Sequence, residues 1–244
     1  DNRQLPPIGY GNIFGDLLLK TDSLHISHLT KVLRQAEKSG ILSDANKIRE
    51  GIMPIEQPEL RIVNGELQDM TYMFRDTREG LRNIAIKSYL KAIEQDGMDE
   101  VAIIVPRKEN CDNSTLEINI KLSDILLDKN GRTMKIGKKE YLVGSKVMQV
   151  DNNYEKNVFN GEVGYITKIE EVQNGKEKTL EFTVEFKMND QTKVITYTRN
   201  ELDQLDLAYA MTIHKSQGSG YKTVIIIIDM THYTLLDTCL LYTA

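Results

Sequence analysis

Several features that mark other classes of protein are missing from this 244-residue sequence. It has no tryptophan, and its two cysteines, Cys111 and Cys239, have no histidine or cysteine beside them. Neither a disulfide framework nor a metal site is therefore expected. No apolar run approaches the ~18 residues of a membrane span, and no signal peptide opens the chain. We expect a cytoplasmic protein without a membrane partner.

Charge and composition narrow the possible partners. The formal net charge is −5, which gives no overall attraction to nucleic acid. Any nucleic-acid contact must therefore come from a local surface with its own sign. A hydrophobic content of 40% is enough for one large domain or two smaller ones.

A phosphate-binding loop is also missing. No G-x-x-x-x-G-K-[ST] occurs, and Gly137-Lys138-Lys139 and Gly175-Lys176-Glu177 lack the glycine spacing and the hydroxyl that would hold Mg²⁺. The chain begins at Asp1, just before a Pro-Pro-Ile-Gly loop, and stops in an apolar, helix-compatible stretch. We expect both ends to be cuts in a longer protein.

Predicted strands and helices alternate over much of the chain, which is typical of a parallel α/β sheet. Continuous apolar runs predict fully buried strands at 101–105 and 224–228. Other expected elements are a strand at 70–74 and helices at 27–38, 40–50, 77–95, 114–127 and 209–217.

Residues 136–200 interrupt this alternation with short β-rich runs separated by turn signals. Asn160-Gly161 and Asn174-Gly175 are strong hairpin signals. We expect a small antiparallel barrel inserted into the α/β domain. Its aromatic residues Tyr154 and Phe159 are expected to pack in the barrel core or hairpin, with stacking on bases as the alternative.

One polar segment carries most of the chemistry. Thr212-Ile213-His214-Lys215-Ser216-Gln217-Gly218-Ser219 gathers hydroxyl, imidazole, ammonium and amide groups, all able to hold phosphate oxygens. A polar helix end that caps a sheet edge has the same composition, so composition leaves both interpretations open. Arg107 and Lys108, after the first buried strand, are either DNA backbone contacts or a solvated loop pair.

The order of five segments resembles the RecD-like helicases, superfamily 1 DNA helicases related to the alpha subunit of exodeoxyribonuclease V. The segments are Gln4-Leu5-Pro6-Pro7-Ile8-Gly9, Leu33-Arg34-Gln35, Val147-Met148-Gln149-Val150-Asp151-Asn152-Asn153-Tyr154, Phe159-Asn160-Gly161-Glu162-Val163-Gly164 and Ala208-Tyr209-Ala210-Met211-Thr212-Ile213-His214-Lys215-Ser216-Gln217-Gly218. Several motifs in one order are far more specific than a single motif. The resemblance implies an α/β fold, a RecA-like parallel-sheet domain of the P-loop NTPase type, with an inserted SH3-like β-barrel.

The same resemblance implies a domain plan in four segments. Residues 1–24 would be the tail of a first RecA-like domain, and 25–135 the first part of the second. The barrel would occupy 136–203, and the second RecA-like domain would finish over 204–244.

The resemblance also assigns roles to single residues. Gln4 matches a glutamine that senses the γ-phosphate of ATP, and Arg34 matches an arginine that reaches the same phosphate, for which a planar guanidinium is suited. Gly218 is an implied nucleotide contact, and Gly220 stands where the family usually has glutamate. The implied cofactors are ATP and Mg²⁺, held mainly by parts absent from this chain. The DNA-binding residues implied by the resemblance are Thr212, His214, Lys215, Ser216 and Gln217, and Arg107 is a further DNA-binding candidate from its position after the buried strand alone.

The implied function is that of the C-terminal part of an ATP-dependent DNA helicase that moves 5′ to 3′ on single-stranded DNA and unwinds duplex in repair and recombination. Expected partners are single-stranded DNA and duplex junctions, with nuclease or helicase partner subunits left open. Without a phosphate loop, the chain alone is not expected to hydrolyse ATP. A non-catalytic nucleic-acid-binding module and an assembly subunit derived from a degenerate helicase remain as alternatives.

Overall fold

The computed structural model describes residues 11–20, 24–27, 37–174, 177–188 and 191–244. Contacts divide the chain into two compact units, one of Asp1–Leu81 with Asp229–Ala244 and one of Arg82–Ile228. No helix among the described residues is both long and apolar enough to span a membrane.

In chain order, the helices and strands are α1 (Ile13–Leu18), α2 (Gly40–Arg49), β1 (Ile62–Asn64), β2 (Met70–Tyr72), α3 (Arg78–Asp96), β3 (Val101–Val105), α4 (Thr115–Leu126), β4 (Thr133–Ile136), β5 (Lys139–Leu142), β6 (Lys146–Gln149), β7 (Val163–Asn174), β8 (Glu177–Met188), β9 (Gln191–Thr198), β10 (Leu205–Leu207), β11 (Ala210–Thr212), α5 (Ile213–Ser216), β12 (Thr223–Ile226) and α6 (Thr238–Thr243). The helices expected at 40–50, 77–95 and 114–127 are confirmed as α2, α3 and α4. Most of the helix expected at 27–38 lies outside the described residues.

The first unit contains a hairpin of β1 and β2 and the well-capped helix α2. The Ser39 hydroxyl accepts from the Leu42 backbone N–H at 3.3 Å and donates to the Asp69 carboxylate at 2.6 Å. The same carboxylate accepts from the Gly40 backbone N–H at 2.7 Å. These bonds satisfy N–H groups that the first turn of a helix leaves without intrahelical partners.

The second unit is built on a three-stranded parallel sheet in the order β11-β3-β12. All five residues of the central strand β3 are buried, as the apolar run predicted. The parallel α/β architecture expected from the sequence is therefore confirmed.

Two predictions about the flanking strands were wrong. The run expected to be fully buried at 224–228 forms β12 over Thr223–Ile226, with Val224 40% and Ile226 38% exposed. In the part of the chain that the structure describes, β12 is an edge strand, and its alternating burial leaves the side chains on one face exposed. The helix expected at 209–217 is also shorter, because Ala210–Thr212 pairs with β3 as a strand and only Ile213–Ser216 is helical.

A five-stranded antiparallel sheet in the order β10-β6-β7-β8-β9 accounts for most of the β-rich region. The hairpin expected at Asn174-Gly175 is confirmed, because Asn174 at the end of β7 pairs with Glu177 at the start of β8. Strands β4 and β5 form a separate hairpin.

The two sheets of this unit share a core. Met148 from β6 packs with Ala102 from β3, Met211 from β11 and Ala208 between β10 and β11. The Tyr209 hydroxyl accepts from the backbone N–H of Lys146 at 3.2 Å. Apolar burial and this hydrogen bond fix the antiparallel sheet to the parallel one.

Candidate nucleic-acid interface

The predicted DNA-binding residues cluster at the carboxyl ends of two parallel strands. Strand β11 ends at Thr212, whose register partner is Val105, the last residue of β3. The segments that follow, with Arg107 and Lys215, therefore leave the sheet at one edge. Open α/β sheets bind ligands at this edge, because the loops that follow neighbouring strands meet there.

A groove of about 220 Å³ lies at this edge. Three lysines from separate parts of the chain line it, together with the acidic residues Glu109 and Asp206. The lysines are Lys108, Lys139 and Lys215. Three ammonium groups against two carboxylates give the groove a local positive charge that the acidic composition of the whole chain conceals.

Asp206 holds two of these lysines in place. Its carboxylate accepts from the Lys108 ammonium at 3.0 Å and also pairs with Lys139. Burial acts to raise the pKa of Asp206, but hydrogen bonds and charge from Lys139 and Lys108 outweigh it, so the pKa is lowered. Asp206 is therefore a carboxylate at neutral pH and positions the two ammonium groups.

Lys215 differs from Lys108 and Lys139 in its burial and in the charges around it. It is half-buried, and among the described residues no carboxylate lies within ion-pair distance of its ammonium group. Burial is the main cause that lowers its pKa; the charges of Lys108 and Lys139 add to this, while Asp206 and Asp151 oppose it. An anion bound in the groove would offset the hydration that the Lys215 ammonium group loses on burial and the repulsion from the neighbouring ammonium groups.

The wall of the groove between β10 and β11 is fixed by one buried side chain. The Asn119 amide group donates to the carbonyl oxygens of Leu207 at 2.8 Å and Ala210 at 2.9 Å. Its own oxygen accepts from the Ala210 backbone N–H at 2.7 Å. Asn119 is 5% exposed, so its amide supplies the backbone groups with hydrogen bonds where water cannot reach them.

The remaining residues of the polar segment point in different directions. Thr212 lines the groove, whereas His214 and Gln217 are exposed outside its lining. Ser216 is 8% exposed, and its hydroxyl donates to the Ile213 carbonyl at 2.8 Å. Gly218 follows α5 with a φ of 87°, a left-handed conformation that glycine adopts without strain.

Some residues of this groove were not predicted from the sequence, and some predicted site residues do not line it. Lys139, Asp206 and Asn119 had no motif to signal them, because folding alone brings them to the groove. Arg107 is half-buried at the same edge, but it is not one of the lining residues. Gln4 and Arg34 lie outside the described residues, so their roles stay predictions.

The aromatic pair does not form a barrel core. The rings of Tyr154 and Phe159 contact each other edge to face at 6.0 Å between centroids, as hairpin packing predicts. Tyr154 is nevertheless 76% exposed and Phe159 39% exposed. Of the two kinds of packing expected, the ring contact agrees with packing within the hairpin, whereas the exposure of both rings shows that they are not part of a barrel core.

Two family models match parts of the chain. One, for the ATP-dependent RecD-like DNA helicase SH3 domain, matches residues 118–186, and one for the UvrD-like helicase C-terminal domain matches residues 207–244. The first runs from within α4 to near the end of β8, and the second includes the polar segment and the groove residues Thr212 and Lys215.

Curated relatives extend the match to the full chain. The ATP-dependent RecD2 DNA helicase of Deinococcus radiodurans is 29% identical over 245 aligned residues, which cover 100% of this chain and 30% of that protein. An uncharacterized protein of Methanocaldococcus jannaschii is 27% identical, with 100% of this chain and 25% of that protein covered. The chain thus spans less than a third of the length of either relative.

Solved structures show the same fold. A Bacteroides Pif1 helicase in complex with ADP-AlF₃ and single-stranded DNA has a TM-score of 0.54 at 21% identity, covering 99% of this chain and 57% of that one. A Pif1 helicase from a structure on DNA unwinding at forked duplex has a TM-score of 0.51 at 22% identity, covering 98% and 55%. Together with the parallel sheet and the match to the RecD-like SH3 domain, these comparisons confirm the predicted fold class, and the chain is similar in sequence to RecD-like DNA helicases.

Proposed function

We propose that this chain is the C-terminal motor part of an ATP-dependent DNA helicase, and that the groove at the carboxyl ends of β3 and β11 holds the phosphate backbone of single-stranded DNA. The observation that carries the proposal is the Lys215 ammonium, half-buried in a groove with a local positive charge. Phosphate oxygens would supply the negative charge that Lys215 lacks among the described residues.

The groove suits a backbone rather than a base sequence. Ammonium groups are point charges that attract any phosphate, and backbone contacts carry no sequence information. A motor that moves along DNA needs this property, because each step must present equivalent contacts whatever the bases are. Lys108 and Lys139, already oriented by Asp206, would flank the phosphates that Lys215 holds.

The finer parts of the proposal rest on the resemblance to RecD-like helicases. In the intact protein, Gln4 and Arg34 would contact the γ-phosphate of ATP, Gly218 would lie near the nucleotide, and Mg²⁺ would be held mainly outside this chain. Movement 5′ to 3′, action at duplex junctions in repair and recombination, and a cytoplasmic location belong to the same proposal. So do the domain boundaries at residues 24, 135 and 203.

The groove is tested by substitution and salt titration on the 244-residue chain. Lys215→Ala should weaken binding of a fluorescent oligothymidylate and reduce the slope of log K against log salt by about 0.7 for each phosphate that is no longer neutralised. Lys187→Ala is the matched control, because Lys187 is an exposed lysine on β8 outside the groove. Equal losses in the two variants would show only general charge attraction and would refute the groove.

Coupling to ATP is tested in the intact protein. Arg34→Ala should lower DNA-stimulated hydrolysis by about 10² or more and leave ATP binding much less affected, because the arginine acts on charge that develops during phosphoryl transfer. An unchanged turnover number would remove Arg34 from the mechanism. Binding of DNA without any stimulated hydrolysis in the intact protein would instead favour a non-catalytic binding module.

The 244-residue chain alone should show no ATP turnover, with or without single-stranded DNA, because its sequence has no phosphate loop. Turnover on the order of 1 per second in a clean preparation would contradict this expectation.

A further inference from the structure

The loop that joins β6 to β7 presents two aromatic rings to solvent. Tyr154 is 76% exposed and Phe159 is 39% exposed. The two rings meet edge to face, with an interplanar angle of 76°. Large aromatic side chains gain most from burial, so two exposed neighbouring rings are unusual on a surface without a partner.

The loop is held rigidly although its rings are exposed. Asn153 and Val158 exchange backbone hydrogen bonds of 2.8 and 3.0 Å, and Val158 is fully buried. The Asn153 side chain accepts from the Lys156 backbone N–H at 3.0 Å and donates to the Gln204 side chain at 3.1 Å. Asn157 adopts a left-handed φ of 54°. Because the loop is ordered in advance, a ligand that contacts the rings loses little entropy in ordering them.

The loop begins beside the lysine-lined groove. Strand β6 contributes Met148 to the groove lining, and the loop starts at the end of this strand. Asp151, in the first residues of the loop, lies close enough to Lys215 for its charge to raise the pKa of that ammonium group. A single DNA strand bound along the lysines would therefore lie beside the loop that carries the two rings.

Charge on the loop favours bases over phosphates. Lys156 pairs with Glu201 at 2.6 Å, and Lys193, near the Phe159 ring, pairs with Glu162 at 3.2 Å. These pairs neutralise both lysines, while the loop also carries the exposed acidic residues Asp151 and Glu155. The loop would therefore repel a phosphate backbone, and the uncharged faces of bases are the part of the strand that can approach it.

From these observations we infer that Tyr154 and Phe159 form a stacking platform for unpaired bases of the single strand whose backbone lies on the lysine groove. The inference rests on the proposed single-strand groove and adds a second contact of different chemistry. Base stacking on aromatic rings is tolerant of sequence and uncharged, so it complements the phosphate contacts without adding base specificity.

The absence of tryptophan from the chain permits a direct test. Tyr154→Trp places a single indole at the platform, and Tyr233→Trp places one on another exposed tyrosine, 70% exposed, in the other unit. Each variant of the 244-residue chain is titrated with oligothymidylate and with an abasic oligonucleotide of equal length. Oligothymidylate should quench the Tyr154→Trp fluorescence, whereas the abasic oligonucleotide should not, and Tyr233→Trp should respond to neither.

Affinity gives the second measurement. The unsubstituted chain should bind oligothymidylate more tightly than the abasic oligonucleotide, and the double change Tyr154→Ala, Phe159→Ala should remove at least about fivefold of that preference. Tyr154→Phe, which keeps the ring, should retain it. Raising the salt from about 50 to 200 mM should weaken binding to both oligonucleotides. The ratio of the two affinities should change little, because stacking involves no counterion release.

The outcomes separate this inference from the proposed function. Equal binding of both oligonucleotides, lost on Lys215→Ala but unchanged by the double alanine variant, would refute the platform and leave the groove intact. An indole at position 154 that is not quenched while oligothymidylate binds would refute the platform as well. Failure of the chain to bind either oligonucleotide would overturn both proposals.

Discussion

Replacing Asn119 with alanine should destabilise the second unit and with it the wall of the groove. Three hydrogen bonds would be removed, those to the carbonyls of Leu207 and Ala210 and from the Ala210 N–H. At about 1 kcal/mol net for each bond, the loss is about 3 kcal/mol, and buried backbone groups left without partners raise it to about 3 to 5 kcal/mol. Water that enters the space left by the amide keeps the loss at the lower end.

Denaturant unfolding followed by near-ultraviolet circular dichroism measures this loss. The signal reports chiefly on the second unit, because the fully buried tyrosines of the described residues all belong to it, namely Tyr89, Tyr141, Tyr197 and Tyr209. Asn83→Ala is the matched control, since Asn83 is an exposed asparagine on α3. Its substitution should change stability by about 0.5 kcal/mol or less.

A second variant separates hydrogen bonding from cavity formation. Asn119→Asp has nearly the same shape and can still accept from the Ala210 N–H, but it faces two carbonyl oxygens without a donor when ionised. It should therefore be at least as destabilising as Asn119→Ala at pH 7. Stability of the aspartate variant within about 1 kcal/mol of the unsubstituted chain would refute the reasoning, as would equal losses in Asn119→Ala and Asn83→Ala.

Three further predictions concern charge, packing and one motif position. Burial lowers the pKa of Lys146 to about 8, so between about pH 8 and 10 this lysine holds fewer protons in the folded chain than in the unfolded chain and contributes a rise in stability of about 2 kcal/mol. Buried tyrosines such as Tyr209 have raised pKa values and oppose this rise, so the contribution is measured as a difference: in denaturant titrations, the stability of the unsubstituted chain relative to Lys146→Met should rise by about 2 kcal/mol from pH 8 to 10. Gly164→Ala would place a Cβ 2.5 Å from the Glu185 carbonyl oxygen and should lower stability by about 1 to 3 kcal/mol, whereas Gly131→Ala, with nothing within 4 Å, should be nearly neutral in the same thermal melts. Gly220 is not among the described glycines with positive φ, so Gly220→Glu should leave the melting temperature unchanged. In the intact protein the same substitution should tighten nucleotide binding by about 1 kcal/mol. Unchanged affinity would show that a glutamate at this position does not contact the nucleotide.

Local sequence was enough to predict elements whose burial is uniform or whose turns have special chemistry. Val101–Val105 is apolar at every position and became the buried central strand. Asn174-Gly175 marked the hairpin between β7 and β8. Failures occurred where pairing decided the outcome: Ala210–Thr212 has a composition that suits a helix, but it became a strand because β3 offered it a parallel partner.

The sequence by itself determined the fold class, the resemblance to RecD-like helicases and the polar segment around Thr212 and Lys215, because these depend on residue order and on periodic patterns along the chain. Only the tertiary structure decided which charges meet. Lys108, Lys139 and Asp206 are separated by up to 98 positions along the chain, yet the fold places them around one groove. Electrostatic interaction depends on distance in space and on burial, and neither can be read from separation along the chain.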